Sequence, residues 1–390
     1  MRMSIDDDVV NTIVSLMARG FDRGKILKSL ETRLTREEFE EALEIATARL
    51  RSGDKFSRKD LWMDLEGLRY ATHEVVAKYR ADRLKSAGVK EVADVSCGVG
   101  IQLVFYAKAV QHAYGVEISE KRLRYAIKNA ERYGVADRIT FINADSLDPG
   151  TVSEVTADVV YSDPARPPNA PERRLEDLMP SPLRVYEAYS RKTDAFIFDL
   201  PPQMKRSRVP WKGEFEYIDL NGALNRLTFY TEPLAEAERR AVILPGGVSI
   251  NSDPNLEPIV EETREPKDYV YEISPAVDHG DLINELFHVA GGNLELLLRE
   301  KRRTLATGDD LLDARYFKRV YRKVALVKFH PVRINEVLRR EGFGRATLRV
   351  SVPPGDYWKL RRRIERDLKG SRRAFVFRIG DRALILEEVR

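Results

Sequence analysis

The stretch VADVSCGVGIQLVFYAKAVQHAYGVE, residues 92–117, decides how this chain folds. A short apolar run at 92–95 enters a Gly98-Val99-Gly100 turn, a helix-like segment follows, and a second apolar run ends on Glu117. Glycine has no Cβ and takes positive φ at little cost, so such a turn lets backbone approach a ligand closely. The helix behind it begins with N–H groups that have no intrahelical partner. A carboxylate about 20 residues downstream, at the end of the next strand, can accept hydrogen bonds from both ribose hydroxyls. The spacing predicts a site for a nucleoside-containing cofactor.

A dinucleotide site calls for G-x-G-x-x-G, with its third glycine at the helix that faces the pyrophosphate. Here that position is Leu103, so a pyrophosphate is poorly served. S-adenosyl-L-methionine (SAM) carries no phosphate. It needs glycine backbone near its amino-acid tail, a carboxylate for its ribose and an apolar slot for its adenine. Taken alone, the glycine pair leaves open a turn that merely closes a strand–helix unit.

Other segments repeat the pattern. RITFINAD (138–145) predicts a third strand ending in Asn143-Ala144-Asp145, where a carboxylate can accept the adenine amino group. ADVVYS (157–162) predicts a fourth strand running into Asp163-Pro164-Ala165-Arg166. DAFIFDL (194–200) predicts a fifth, ending at Pro201-Pro202. Helical stretches such as 120–133 lie between them, which makes the expected fold α/β with an open, mostly parallel sheet. Ligands of such sheets sit beyond the carboxyl ends of the strands, where each of these polar motifs falls.

With these residues in view, the chain resembles the class I SAM-dependent methyltransferases, whose sheet is Rossmann-like. VADVSCGVG is similar to their first motif, GVEIS to their acidic strand end, NADS to their adenine contact and DPAR to their catalytic motif. More narrowly, it resembles a prokaryotic group that carries a small C-terminal α+β, THUMP-like domain. The segments at 55–84, 269–277, 342–352 and 360–386 carry that likeness. YATHEVVAKYRADRL is also similar to the T-P-E-x-(I/V)-A helix of cap-guanine and related RNA methyltransferases, with His73 in place of the proline. The resemblance implies that SAM is held by Asp94, Ser96, Cys97, Gly98, Gly100, Glu117, Ile118, Asn143, Ala144, Asp145 and Asp163. Because THUMP domains bind RNA, it also implies an RNA substrate, tRNA or rRNA.

Related N-methyltransferases carry (D/N)-P-P-(Y/F/W), whose side chain and following carbonyl accept the hydrogens of the target nitrogen and keep its lone pair aimed at the methyl group. Asp163 and the Pro164 carbonyl can play those parts, since in-line displacement needs little beyond positioning and charge handling. Two positions depart from the pattern: Ala165 stands for the second proline and Arg166 for the stacking aromatic. A ring must then come from elsewhere, with Trp211, Phe215 and Tyr217 nearest in sequence. Arg166 can hold a phosphate or stack by its guanidinium plane, the third catalytic candidate, or simply pair with Glu172. The loop that follows, PARPPNAPERRLEDLMPSP, reads as substrate-facing or as a surface excursion.

Cys97 is the single cysteine, so no internal disulfide framework exists. It lies in the cofactor turn, badly placed for the thiolate addition by which 5-methylpyrimidines usually form. Direct transfer to nitrogen or oxygen remains. The five histidines are scattered, and no metal site is expected.

The chain has 390 residues, enough for two or three domains. We expect a helical domain at 1–62, whose Thr35-Arg36-Glu37-Glu38 fits a capping box, a catalytic core at 63–328, and a basic module at 329–390. No apolar run approaches the ~20 residues of a membrane helix, and the acidic start MRMSIDDDVV does not resemble a signal peptide, so a cytoplasmic enzyme with no obligate protein partner is expected. Residues 329–390 hold 16 Lys and Arg against 8 Asp and Glu, a net +8, whereas the remainder holds 50 against 54. A basic module on a near-neutral enzyme gathers phosphate backbone without reading sequence. Its pattern predicts helix 331–340, strand 346–352, helix 356–368 and strands 373–378 and 382–388. Arg361, Arg362, Arg363, Arg366, Arg372 and Arg373 are its RNA-contact candidates, although arginines on a helix's polar face are commonly just solvated. Two other functions stay open: a SAM-binding RNA-binding protein with impaired catalysis, and a small-molecule methyltransferase.

Overall fold

The computed structural model describes residues 5–165 and 174–389; Arg166 and Glu172 fall outside that range. The chain forms two compact units, Met1–Gly213 with Thr228–Ala235, and Glu214–Leu227 with Glu236–Arg390.

The first unit is built on five parallel strands, β1 (Glu91–Asp94), β2 (His112–Val116), β3 (Ile139–Ile142), β4 (Val159–Ser162) and β5 (Ala195–Leu200). They lie in the order β3-β2-β1-β4-β5. Every position of β4 and β5 is buried, as their unbroken apolar sequences require of strands covered on both faces. The helix Ile101–Ala109 is buried from Ile101 through Ala107, so it is a core helix with no polar face. Strand order reverses between β1 and β4, which opens a crevice at their carboxyl ends.

The N-terminal helices Asp7–Ala18, Arg23–Leu30 and Arg36–Arg51 belong to this same unit. The capping box forms: Glu38 N–H donates to Thr35 Oγ1 at 3.2 Å and Thr35 N–H to Glu38 Oε2 at 2.7 Å. These helices have no core of their own, unlike the separate domain expected over 1–62. Val9, Ile13, Phe39, Ile45 and Trp62 join Val104, Leu123 and Ala126 in one apolar cluster. Asn129, fully buried, fastens the two parts: its side chain accepts Trp62 N–H and donates to the Trp62 and Val99 carbonyls, each at 2.8 Å.

The following strands are β6 (Gly213–Leu220), β7 (Ala223–Thr231), β8 (Arg239–Leu244) and β9 (Val248–Asn251). In the second unit, β6 runs parallel to β8 and β8 antiparallel to β9. An eight-stranded sheet in that unit contains β10 (Glu261–Glu262), β11 (Tyr269–Ile273), β12 (Glu295–Glu300), β13 (Arg303–Gly308), β14 (Phe317–Lys328), β15 (Phe343–Arg349), β16 (Arg372–Ile379) and β17 (Arg382–Glu388). Their order is β10-β12-β13-β11-β14-β17-β16-β15. β14 pairs with β17 from Tyr321 to Lys328, with a register shift between Lys323 and Ala325, so the boundary expected at 328 falls at the end of a ladder that joins the two sides of it.

Several C-terminal boundaries differ from expectation. The strand expected at 346–352 runs from Phe343 to Arg349, its pairing with β16 opening at Phe343 and Arg372; Gly344 lies against the Gly370 backbone, where an added Cβ would meet the Gly370 carbonyl oxygen at 1.6 Å. The helix expected to reach 368 ends at Ile364, and Asp367 adopts φ 57°, a left-handed conformation that a continuing helix does not allow. Leu368 and Arg366 therefore lie beyond the helix. Among the described residues, no helix is long and apolar enough to cross a membrane, and no cluster of His, Cys, Asp and Glu could hold a metal ion.

Candidate active site

The glycine turn takes the conformation its composition allows. Gly98 has φ 55° and Gly100 φ 78°, both left-handed. Gly100 cannot carry a side chain, since a Cβ would lie 2.8 Å from that of Ala126; at Gly98 the same position faces open space. Gly100 N–H donates to the Cys97 carbonyl at 2.8 Å, and Cys97 N–H to the Val116 carbonyl at 3.0 Å, which ties the turn to the end of β2. No side chain caps the helix that starts at Ile101.

Three carboxylates converge here, from the ends of β1, β2 and β4. Glu117, 9% exposed, accepts Gly98 N–H at 2.9 Å through Oε2 and Ser119 N–H at 2.8 Å through Oε1. Those two bonds orient the carboxylate toward the turn and leave half of its lone pairs for a ligand. Asp94, 2% exposed, accepts Ser96 N–H at 3.1 Å. Burial holds its carboxyl well above the usual carboxylate range, and the negative charges of Asp163, Glu117 and Asp199 push it the same way. A pocket that crowds carboxylates in this manner favours a cationic guest. The ammonium and sulfonium of SAM answer that demand, so the residues present fit this cofactor.

Ser96 joins the two halves of the site. Its hydroxyl accepts Asp163 N–H at 2.8 Å and lies 3.4 Å from Ser162 Oγ. Asn143 donates to the Glu117 carbonyl at 2.8 Å and the Ile118 carbonyl at 3.2 Å, so its amide holds the loop after β2 in place. Ile118 is 71% exposed, an apolar face on the rim beside Glu117. Ala144 is half-buried; Asp145 is exposed and accepts Leu147 N–H at 2.9 Å. Cys97 is 7% exposed, and burial, together with the charges of Asp94 and Glu117, pushes its thiol up, which keeps it protonated and inert.

At the fourth motif, Pro164 is buried and Ala165 exposed. Ala165 N–H donates to the Met179 carbonyl at 2.7 Å, and Met179 N–H to the Ala165 carbonyl at 3.0 Å. Met179 is 70% exposed and flanks the Asp163-Pro164-Ala165 segment; nothing in its sequence surroundings pointed to it. Of the three candidate rings, Phe215 and Tyr217 are buried in the second unit and present no free face to a base. Trp211 is half-buried among Tyr186, Phe198 and Phe229, with ring centroids 4.9, 5.2 and 6.2 Å away.

A polar network lies beneath the site. Arg80, 1% exposed, forms a two-pronged ion pair with Asp199, one arm measuring 2.9 Å. Tyr161 Oη donates to Asp199 at 2.8 Å, as does Thr228 Oγ1. Asp199 lies in β5 and Arg80 in the helix Glu74–Ser86, whose N-cap is His73: Nδ1 accepts Val75 N–H at 3.3 Å. The arginine's alternating neighbours in YRADRL carried no signal that it is interior.

The basic candidates of the second unit divide by occupation. Arg361 pairs with Glu365 at 3.0 Å, and Arg372 with Glu387 at 2.8 Å while its guanidinium carbon lies 4.6 Å from the Phe343 ring centroid. Arg362, Arg363 and Arg373 are exposed, and exposed Arg366 lies 3.6 Å from Asp367.

Residues 89–195 match the family described as RNA cap guanine-N2 methyltransferase. Over 100% of both chains, the structure is similar to a proposed methyltransferase from Porphyromonas gingivalis W83, with 13% identity and a TM-score of 0.72. A proposed rRNA-methylase from Clostridium thermocellum aligns over 39% of this chain and 93% of its own, with 15% identity and a TM-score of 0.28. The O-methyltransferase from Bacillus cereus in complex with SAH aligns over 32% of this chain and 55% of its own, with 14% identity and a TM-score of 0.26. The full-length likeness shows a shared α/β fold, and with the family match the chain is a methyltransferase enzyme.

Proposed function

We propose that this enzyme uses S-adenosyl-L-methionine to methylate a base nitrogen of tRNA or rRNA by direct transfer, without a cysteine intermediate. One observation carries the reading: Asp94, Glu117 and Asp163 gather at the carboxyl ends of β1, β2 and β4, with Ser96 bonded to the Asp163 backbone at 2.8 Å. When bound, SAM supplies an electrophilic methyl group. Glu117 accepts the ribose hydroxyls, Asp94 faces the cationic methionyl end, and Ile118, Asn143, Ala144 and Asp145 frame the adenine. Gly98 and Gly100 leave room for the tail. The Asp163 carboxylate and Pro164 carbonyl accept the hydrogens of the target nitrogen and orient its lone pair. Met179 and Trp211 are the apolar surfaces in this unit that suit the base; the part of Arg166 lies outside the described residues. The protonated Cys97 suits a mechanism without covalent addition to the base.

The match of residues 89–195 to an RNA methyltransferase family supports RNA as the substrate, as does the net +8 of residues 329–390. We assign RNA capture to that basic module, as a THUMP-like element. Mass spectrometry of nucleosides from tRNA and rRNA incubated with SAM and the protein tests the whole reading. The expected result is a gain of one methyl group on one nucleoside, abolished by Asp163→Ala with RNA binding retained. No gain on any RNA, with SAM bound normally, would leave a binding protein and refute the enzyme-on-RNA reading.

A further inference from the structure

We propose that Trp358 is a stacking platform for an unpaired nucleobase, with the neighbouring arginines holding the phosphates on either side of it. This rests on the RNA reading above and narrows it to single-stranded RNA at one face of one helix. The helix Pro354–Ile364 packs Tyr357, Leu360 and Ile364 against the C-terminal core. At 100° per residue the opposite face carries Trp358 and Arg362, one turn apart. Trp358 is 60% exposed, an unusual cost for the largest apolar side chain.

Its surroundings are cationic and ordered. The Arg361 guanidinium carbon lies 5.5 Å from the Trp358 ring centroid. Arg361 is held by Glu365 at 3.0 and 3.2 Å, and Glu365 accepts Ala346 N–H at 2.7 Å, which anchors the arrangement to β15. Arg362 donates to the Trp358 carbonyl at 3.4 Å, and the Tyr357 ring stands edge-on at 5.3 Å and 90°. An exposed indole with Arg361 beside its ring and Arg362 on its backbone carbonyl is poorly suited to an apolar protein pocket, which would have to desolvate both arginines. A polyanion whose monomers carry π-faces satisfies the ring and the charges together. In a duplex those faces are already stacked on one another, so the partner is single-stranded.

The test uses the full chain and a labelled single-stranded oligoribonucleotide of about a dozen nucleotides, alongside a duplex of equal length. Trp358→Ala should weaken single-strand binding roughly 5- to 100-fold, with the duplex unaffected and Trp358→Phe restoring most of the affinity. The salt slope should stay unchanged in Trp358→Ala but flatten by roughly 0.7 in Arg362→Gln, for one phosphate no longer neutralised. Unchanged single-strand affinity in Trp358→Ala overturns the stacking proposal alone. So does an equal loss on single strand and duplex, or a tryptophan emission shift on phosphatidylserine vesicles that Trp358→Ala removes. Failure of the unaltered protein to bind either RNA overturns the RNA reading itself.

Discussion

The hydroxyl of Ser96 accepts the backbone N–H of Asp163 at 2.8 Å, across 67 residues of sequence. That bond couples the glycine turn after β1, the proposed cofactor seat, to the Asp163 motif after β4, the proposed seat of the methyl acceptor. It fixes where the Asp163 carboxylate begins, and an in-line transfer depends on that position.

Ser96→Ala removes the acceptor and leaves a partly buried N–H unsatisfied, a loss of about 1–3 kcal/mol. Turnover should fall roughly 5- to 100-fold, with affinity for S-adenosylhomocysteine changing far less. Single-turnover kinetics beside calorimetry separates the two, and a loss confined to affinity would place Ser96 with the cofactor alone.

Glu117→Ala deletes the proposed ribose grip and frees the Gly98 N–H that it holds at 2.9 Å. Bonds to a charged acceptor contribute about 1.5–3 kcal/mol each, so S-adenosylhomocysteine should bind at least tenfold more weakly by calorimetry. Wild-type affinity in this variant would contradict the cofactor pose.

Asp94 sets a pH dependence. Its folded-state pKa lies well above the unfolded value of 3.8, so the folded ligand-free protein keeps a proton that the unfolded chain releases. Stability from this group is present below the unfolded value and is lost as pH rises through the folded one. Urea midpoints of the ligand-free protein should therefore fall over that window, by at most ~1.4 kcal/mol per pH unit from one proton. Asp94→Asn should flatten the dependence; an identical slope in the variant would exclude Asp94 as its source.

The Arg80–Asp199 pair is buried on both sides, with side chains 1% and 2% exposed. Asp199→Ala strands an arginine in the interior and should cost about 3–5 kcal/mol in chemical denaturation. Arg80→Met with Asp199→Leu should recover most of it, because the stranded charge is removed with its partner. Asp199 also faces Asp94 electrostatically, so the single variant should lower the Asp94 pKa.

The parts of the site carried by contiguous residues are legible in the sequence alone. The Gly98 and Gly100 turn, the acid at the end of β2, Asp163-Pro164-Ala165 after β4 and the Thr35 capping box each depend on residues a few positions apart, so local chemistry specifies them. The helix Pro331–Arg340 and β17 are legible for the same reason, their apolar periods being regular. The C-terminal helix is shorter than its periodicity predicts because Leu368 keeps the apolar spacing after Asp367 has turned the backbone.

What the sequence determined by itself is the placing of the polar motifs: a glycine turn, an acid and Asp163-Pro164, each following an apolar strand of a mostly parallel α/β sheet. Only the tertiary structure decided that Ser96 bonds Asp163, that Arg80 answers Asp199, that the N-terminal helices share the core of the sheet, and that Phe215 and Tyr217 are unavailable to a base. Those outcomes join residues tens to more than a hundred positions apart. Desolvation and packing select them, and neither acts until the chain has closed on itself.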